Sequence, residues 1–324
     1  MLTPPLLSII VPVYNASRHI DRCVVSLMEQ TITENVEFIF IDDGSTDSSV
    51  TQIQRIAQKY PQREKQIHIL RNAQNQGIYL TRKRGLQEAK GTYIGWCDSD
   101  DWVEKNYFRS LLEATDNGAI DIVVCDYTHI WKDHSSVCHY EIQNTPIACI
   151  RQNYCMHSLP MELYIHLIRK EIIRQAFEKI YPTNLGEDTY SIAHAYILAK
   201  TIVQVNNAGY FYNHGNEQSI MNTRTDTMAD WLPHQQNIEI IAQTLYALPH
   251  GRKRFHKAVN SMKYWRKLGY RNAFASEWDF YHTFRECYRD INTISHTVPA
   301  LRGGVFLLYN IYPLYWLGKR LRIL

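Results

Sequence analysis

Asp98-Ser99-Asp100-Asp101 closes a short apolar run, Tyr93 to Cys97, and so gathers three carboxylates at one strand end. Like charges held together repel and lose hydration unless a cation or hydrogen-bond donors sit between them. Hard divalent cations take carboxylate and phosphate oxygens. A Mn2+ or Mg2+ shared with a bound diphosphate is therefore the economical reading. An EF-hand loop starting at Asp98 would need an acid or Asn at its fifth position and Gly at its sixth, where Trp102 and Val103 stand. A helix cap would explain one aspartate but not three. There is no Walker A sequence and no G-x-G-x-x-G after a strand, so the usual ATPase and dinucleotide readings lose support.

Other polar clusters follow apolar runs in the same way. Ser8 to Asn15 reads as a strand running into a turn at Tyr14-Asn15. Val36 to Ile41 is a second strand and ends in Asp42-Asp43-Gly44-Ser45-Thr46-Asp47. Ile67 to Leu70 is a third and Tyr93 to Cys97 a fourth, with helical patterns over about 17–30, 47–60 and 78–89 between them. Alternating strands and helices predict an α/β fold with a mostly parallel sheet flanked by helices. Ligands bind such sheets at the carboxyl ends of the strands, where the polar clusters lie.

Pro12-Val13-Tyr14-Asn15, Asp42 to Asp47, Asn75-Gln76-Gly77 and Gly91-Thr92-Tyr93-Ile94 leading into Asp98 to Asp101 resemble the motifs of family 2 glycosyltransferases of the GT-A fold. Gly186-Glu187-Asp188 resembles that family's later acidic motif, and the likeness covers roughly residues 6–220. It implies an inverting transferase that moves a sugar from a nucleotide-sugar donor, a UDP-sugar being favoured, with the help of a divalent metal. The acceptor would be a hydroxyl of a glycan or lipid-linked molecule, as in surface polysaccharide synthesis. The implied organisation is a GT-A domain over 1–220, its nucleotide part about 1–105 and its acceptor part about 106–220, followed by a helical region over 221–324.

The resemblance also distributes roles. Pro12, Val13, Tyr14 and Asn15 would hold the nucleotide base, with the Tyr14 ring for stacking. Asp43 would contact the uracil edge, although Asp42, Ser45 and Thr46 also suit the cap of the next helix. Arg71 and Arg82 would lie near the diphosphate, where a guanidinium makes charge-assisted hydrogen bonds. The family's Ala-Arg-Asn-x-Gly reads Thr81-Arg82-Lys83-Arg84-Gly85 here, so Arg82 matches and Lys83 departs. For Lys83 and Arg84 a solvated helix face is the expectation. Asp100 would bind the metal directly, Asp98 would touch ribose or metal, Ser99 would line the donor pocket and Asp101 would orient the site. Asp188 would take the proton from the acceptor hydroxyl, with Glu187 binding or orienting the acceptor, and helix capping is the competing reading for both. His214 follows a strand pattern over 210–213 and is either a further ligand of metal or diphosphate or a packing residue. Met161 to Glu171 corresponds only loosely to a family stretch and carries no functional residue across.

Composition is that of an ordinary globular protein: 324 residues, 45% hydrophobic and 21% charged. Charge is uneven, with 20 Lys/Arg against 24 Asp/Glu in residues 1–215 and 15 against 8 in residues 216–324. The basic second part points to an anionic surface; no zinc-finger or other DNA-binding signature supports a nucleic-acid partner. Seven cysteines, an odd number without C-x-x-C, favour reduced thiols in a cytoplasmic protein. The N-terminal apolar run contains Pro12 and reads as the first strand rather than a signal peptide.

Beyond residue 220 the patterns are helical, over about 226–246, 252–269, 276–291 and 303–322. The stretch 303–318 is apolar and aromatic and is followed by Lys319, Arg320 and Arg322. Interfacial aromatics with basic flanks suit a helix on the anionic inner face of a membrane, and packing on the catalytic domain or a second subunit is the alternative. Two rival functions remain at this stage. A sugar-nucleotide pyrophosphorylase would need a Gly-rich, Arg-containing loop, which Tyr14 to Arg18 does not resemble. A non-catalytic sugar-nucleotide scaffold would not need acids at both sites.

Overall fold

The computed structural model of the chain describes residues 5–156, 159–217, 219 and 227–287. They fall into two compact units, one within 1–147 and 161–224, the other within 148–160 and 225–324.

The first unit begins with β1 (Leu7–Val13), α1 (Ile20–Met28), β2 (Val36–Asp42), α2 (Ser49–Ala57), β3 (Ile67–Arg71), α3 (Ile78–Glu88) and β4 (Tyr93–Trp96). It continues through β5 (Trp102–Val103), α4 (Tyr107–Glu113), β6 (Ile122–Cys125), β7 (Tyr127–Ile130) and β8 (Ser135–Cys138). After α5 (Pro146–Met156), most of which belongs to the second unit, come β9 (His166–Arg169), α6 (Lys170–Lys179), α7 (Glu187–Leu198), β10 (Ile202–Val205) and β11 (Tyr210–Asn213). Seven strands form one sheet in the order β10-β6-β9-β4-β1-β2-β3, and β5-β11-β7-β8 form a smaller one. The large sheet is parallel except where β9 runs against β4 and β6.

This order creates the crevice. The chain moves outward from β1 through β2 to β3, then returns to place β4 on the other side of β1. Such a reversal parts the connecting loops above the carboxyl ends of β1 and β4. Pro12 fits there for a physical reason. The β1–β4 pairing ends at Ile10 opposite Trp96, and Cys97 N donates to Ile10 O at 3.1 Å. Pro12, two residues on, faces the same side after β4 has ended, so its missing N–H costs no ladder bond.

Every residue of β1 and β2 is buried, as their continuous apolar runs require for central strands covered on both faces. α1 buries Ile20, Cys23, Val24, Leu27 and Met28, spaced as one helical face. α3 lies close on β1 because Gly85 has no side chain: a Cβ there would sit 2.4 Å from Ile10 Cγ2. Phe177 of α6 stacks on Tyr79 of α3 at 6.0 Å and on Trp96 of β4 at 5.9 Å, joining three elements beneath the crevice. Phe177→Ala would cost about 3–5 kcal/mol, the usual penalty for emptying a packed aromatic site.

His194 of α7 is buried, and neither ring nitrogen has a hydrogen-bond partner. Burial pushes its pKa down to about 4 from 6.5. His166 is likewise held down to about 4 by burial, but its nitrogens meet Glu162 O at 2.6 Å and Tyr196 Oη at 2.9 Å. Between pH 6.5 and 4 the unfolded chain binds protons at these positions that the folded chain refuses, so stability must fall as pH falls through that window. His194→Leu should raise the melting temperature at pH 7 and flatten the loss on acidification, because it removes two unpaired polar atoms and one proton site. Melting curves at pH 4.5, 5.5 and 7 check this; a lower melting temperature at every pH would contradict it.

In the second unit, α8 (Met228–Ala247) and α9 (Gly251–Gly269) follow the expected helical patterns. Thr227 and Asp230 make a reciprocal capping box at the start of α8. Of the third pattern, 276–291, α10 covers Glu277–His282; Thr283 leaves the helix at ψ 120°, Phe284 follows at φ +51°, and residues 288–291 lie outside the described residues. The expected helix over 303–322 lies outside the described residues. No helix among the described residues is long and apolar enough to cross a membrane.

Candidate active site

Each strand end is built by its own backbone turn. After β1, Asn15 takes φ +46°; its N–H donates to Ser45 Oγ at 3.0 Å and its Oδ1 accepts from Thr46 N at 2.9 Å. Tyr14 is left 49% exposed, so its ring is open to stacking. After β2, Asp42 accepts from Ser45 N at 3.1 Å and pairs with Arg71 Nε at 3.0 Å, while Arg71 Nη2 donates to Ser45 O at 2.9 Å. Asp43 is buried and accepts from Asn72 Nδ2, Gln76 N and Gly77 N at 2.6, 2.9 and 2.8 Å. These three donors make Asp43 the organiser of the Asn75-Gln76-Gly77 turn and leave about one of its four lone-pair sites for a further donor. Gly77 opens α3 at φ +89°, and a Cβ there would fall 2.3 Å from the Asn184 side chain.

Arg84 departs from the expected solvated face. It donates to Arg71 O at 2.8 Å and to the Asn72 side chain, tying α3 to the end of β3. The Lys83 ammonium lies 5.7 Å from the Tyr79 ring centroid.

Arg82 stands at the centre. It was expected beside a diphosphate; the structure buries it between two acids. Nη2 donates to Asp98 Oδ1 at 2.7 Å and Nη1 donates to Glu187 Oε1. Burial opposes its charge, but Asp98, Glu187 and Asp188 together hold its pKa above the usual guanidinium range. Glu187 is itself buried, and burial together with the charges of Asp188 and Asp98 pushes its pKa up to about 7 against the pull of Arg82. Gly186, in the left-handed region at φ 71°, starts α7 and sets Glu187 and Asp188 in the first helical turn. Asp188 is half-buried, and its Oδ1 accepts from Thr189 N at 2.7 Å.

The Asp98–Asp101 cluster is held from the small sheet. Tyr210 of β11 donates its hydroxyl to Asp101 Oδ2 at 2.6 Å and accepts from Asp98 N at 3.1 Å. Asn213 N donates to Asp101 Oδ1 at 2.8 Å, and Asn216 Nδ2 donates to Asp100 Oδ2 at 2.7 Å. Ser99, between these acids, is half-buried. Burial and the Asp98 charge raise the pKa of Asp100; burial, Asp100 and Asp98 raise that of Asp101 much further. Sequence patterns drew attention to His214 and missed Tyr210, Asn213 and Asn216, which hold the acids. No spacing rule marks them, because the contacts span more than 100 residues.

His214 is exposed. Its Nε2 lies 2.8 Å from His129 Nδ1, and its ring stacks on Trp131 at 4.3 Å. Burial and the nearby His134 lower its pKa.

Among the described residues no group of three or more His, Cys, Asp or Glu side chains stands ready to hold a metal alone. The donors present nevertheless suit Mn2+ or Mg2+: hard carboxylate oxygens on Asp98 and Asp100, with Asp100 destabilised as an anion by burial and its neighbour. The fit is to a cation that takes its remaining ligands from phosphate and water. Cys23 and Cys97 approach to 3.8 Å between sulfurs as free thiols, and the other cysteines whose side chains are described are free too.

Residues 8–154 match the family model "Glycosyl transferase family 2". The chain is similar to the uncharacterized glycosyltransferase EpsJ of Bacillus subtilis, 39% identical over 123 residues, covering 38% of this chain and 34% of that protein. It is also similar to the glycosyltransferase GlyG of Streptococcus pneumoniae, 28% identical over 237 residues, covering 68% of this chain and 74% of that protein. Among solved structures, S. aureus TarS 1-349 in complex with UDP-GlcNAc has a TM-score of 0.66 at 18% identity, covering 89% of this chain and 79% of that one. That likeness shows the fold, a GT-A type sheet flanked by helices. The strand-end motifs lie inside the stretch, residues 8–154, that matches glycosyl transferase family 2, and the match to EpsJ spans about a third of that protein's length.

Proposed function

We propose that the chain is an inverting glycosyltransferase that moves a sugar from a nucleotide-sugar donor, a UDP-sugar in the favoured case, to a hydroxyl of a glycan or lipid-linked acceptor. One observation carries the reading: Arg82 joins Asp98 at the end of β4 to Glu187 at the start of α7, so the two acidic motifs share one site. The TarS neighbour solved with UDP-GlcNAc supports a nucleotide-sugar donor. The catalytic domain is taken as residues 1–220, with the nucleotide part in 1–105.

In this account the base stacks on Tyr14 in the turn after β1, with Pro12, Val13 and Asn15 shaping the backbone and Asp43 at the uracil edge. Asp98, Ser99 and Asp100 face the ribose and diphosphate, and Arg71, paired with Asp42 at the end of β3, is the candidate to reach the donor from the β2–β3 side. Asp98 and Asp100 would hold the Mn2+ or Mg2+, with His214 as a further candidate ligand; when bound, the metal offsets charge on the leaving diphosphate. Asp188 accepts the proton of the acceptor hydroxyl as that oxygen attacks the anomeric carbon from the opposite face. Glu187 orients this exchange. The step needs no covalent intermediate and no cysteine nucleophile.

A panel of nucleotide sugars with Mn2+, read by thermal shift and then by NMR of the transferred product, tests the proposal. It requires a melting-temperature rise with at least one donor and an inverted anomeric configuration in the product. A retained configuration would overturn the mechanism, and indifference to every donor would overturn the function.

The second unit supports a location at the inner face of a membrane. Arg252, Lys253, Arg254 and Lys257 are exposed along α9, which contains no acid. Such a face should draw the full chain to vesicles of anionic phospholipid in a salt-sensitive way. Flotation at low and high salt measures it, and absent or salt-insensitive binding would exclude the membrane role.

A further inference from the structure

We propose that Arg82 is a positioning residue that couples the two halves of the site, so that Glu187, on the acceptor side, sets the affinity for the nucleotide diphosphate on the donor side. The inference rests on the transferase reading above. The guanidinium is a rigid planar fork. One tip donates to Asp98 Oδ1 at 2.7 Å and the other to Glu187 Oε1. The side chains of Arg82 and Glu187 are 7% and 5% exposed, so solvent screens this pair little, while Asp98 is 26% exposed and so reachable by a ligand. Arg82 Nε is buried without a partner, so no third hydrogen bond anchors the fork. Trp96 lies 5.9 Å from the guanidinium carbon and is itself stacked on Phe177, which gives the fork a packed floor.

The consequence follows from charge sharing. Arg82 and a donor-bound cation both draw on Asp98. Glu187 takes up part of the Arg82 charge and so leaves Asp98 more available to the donor. Without the Glu187 charge, the buried guanidinium turns its full attraction on Asp98 and competes with the cation. Donor binding should weaken although Glu187 need not touch the donor. By linkage, donor binding must in turn bias the Arg82–Glu187 contact and hence the start of α7 beside Asp188. Lysine at position 82 would supply one point charge and could not span both acids.

The test measures UDP binding with Mn2+ by calorimetry in the full chain and in E187Q, R82M, R82K and the double variant R82M/E187Q. R82M alone leaves Glu187 as a buried, unpaired charge and risks misfolding; the double variant removes both charges together. E187Q should weaken UDP binding at least about fivefold. The double variant should match R82M within about twofold, and if R82M does not fold the E187Q result alone decides. A fold-stabilising role alone would lower melting temperatures without this pattern in affinity. The coupling is overturned if E187Q binds UDP within about twofold of the parent, or if R82M/E187Q binds UDP more weakly than R82M by as much as E187Q alone loses. A parent chain that binds neither UDP nor another nucleoside diphosphate is a separate result: it overturns the transferase reading, and the coupling falls with it.

Discussion

Asp188→Asn should lower sugar transfer by about 10²–10⁴-fold, the usual worth of a positioned general base, while leaving UDP affinity close to that of the parent. The substitution keeps the shape and the acceptor oxygen that receives Thr189 N. It removes the proton acceptor and one negative charge from the first turn of α7. The folding penalty should be small, about 0.3–1 kcal/mol for the lost interaction with the helix dipole. A kinetic split therefore identifies the role. Loss of turnover with donor binding intact places Asp188 on the acceptor hydroxyl. Loss of UDP affinity with turnover intact would place it at the donor instead.

Asp100→Asn should have effects of opposite sign with and without ligand. Asp100 is disfavoured as an anion by burial and by Asp98. Its neutral replacement should leave the unliganded protein as stable as the parent or more so. The same change deletes the charge offered to Mn2+ or Mg2+. Ligand at 100 times its dissociation constant stabilises a fold by about 2.7 kcal/mol, and most of that gain with UDP and Mn2+ should vanish in the variant. Melting curves of both proteins, with and without UDP and Mn2+, give the comparison. Equal protection of parent and variant would remove Asp100 from the metal site. Function kept at the expense of stability is a common pattern where charges are gathered for a ligand.

The sequence foretold the sheet more fully than the contacts of the site. β1, β2 and β4 are apolar runs ending in polar clusters, and α1 to α3 show helical spacing, because each depends on neighbours close in the chain. Arg82 shows the limit. Its place on a helix was legible from the pattern over 78–89, and its match to the family motif marked it. Its partner Glu187 lies 105 residues away, and no local pattern encodes that pairing. Tyr210, Asn213 and Asn216 were passed over for the same reason: they act by reaching back to Asp98, Asp100 and Asp101 across the small sheet. Arg84 looked like a solvated residue because helical periodicity says nothing of the β3 end beside it. The helix pattern over 276–291 ignored a backbone reversal at Phe284, a residue type that rarely takes φ +51°.

The most direct test of the central claim is a crystal structure of the chain soaked with UDP and Mn2+, read by the anomalous signal of manganese. The account predicts one manganese peak between Asp100, Asp98 and the diphosphate, with the uracil against Tyr14 in the turn after β1. UDP bound elsewhere, or bound in the crevice with no manganese at these aspartates, would contradict it.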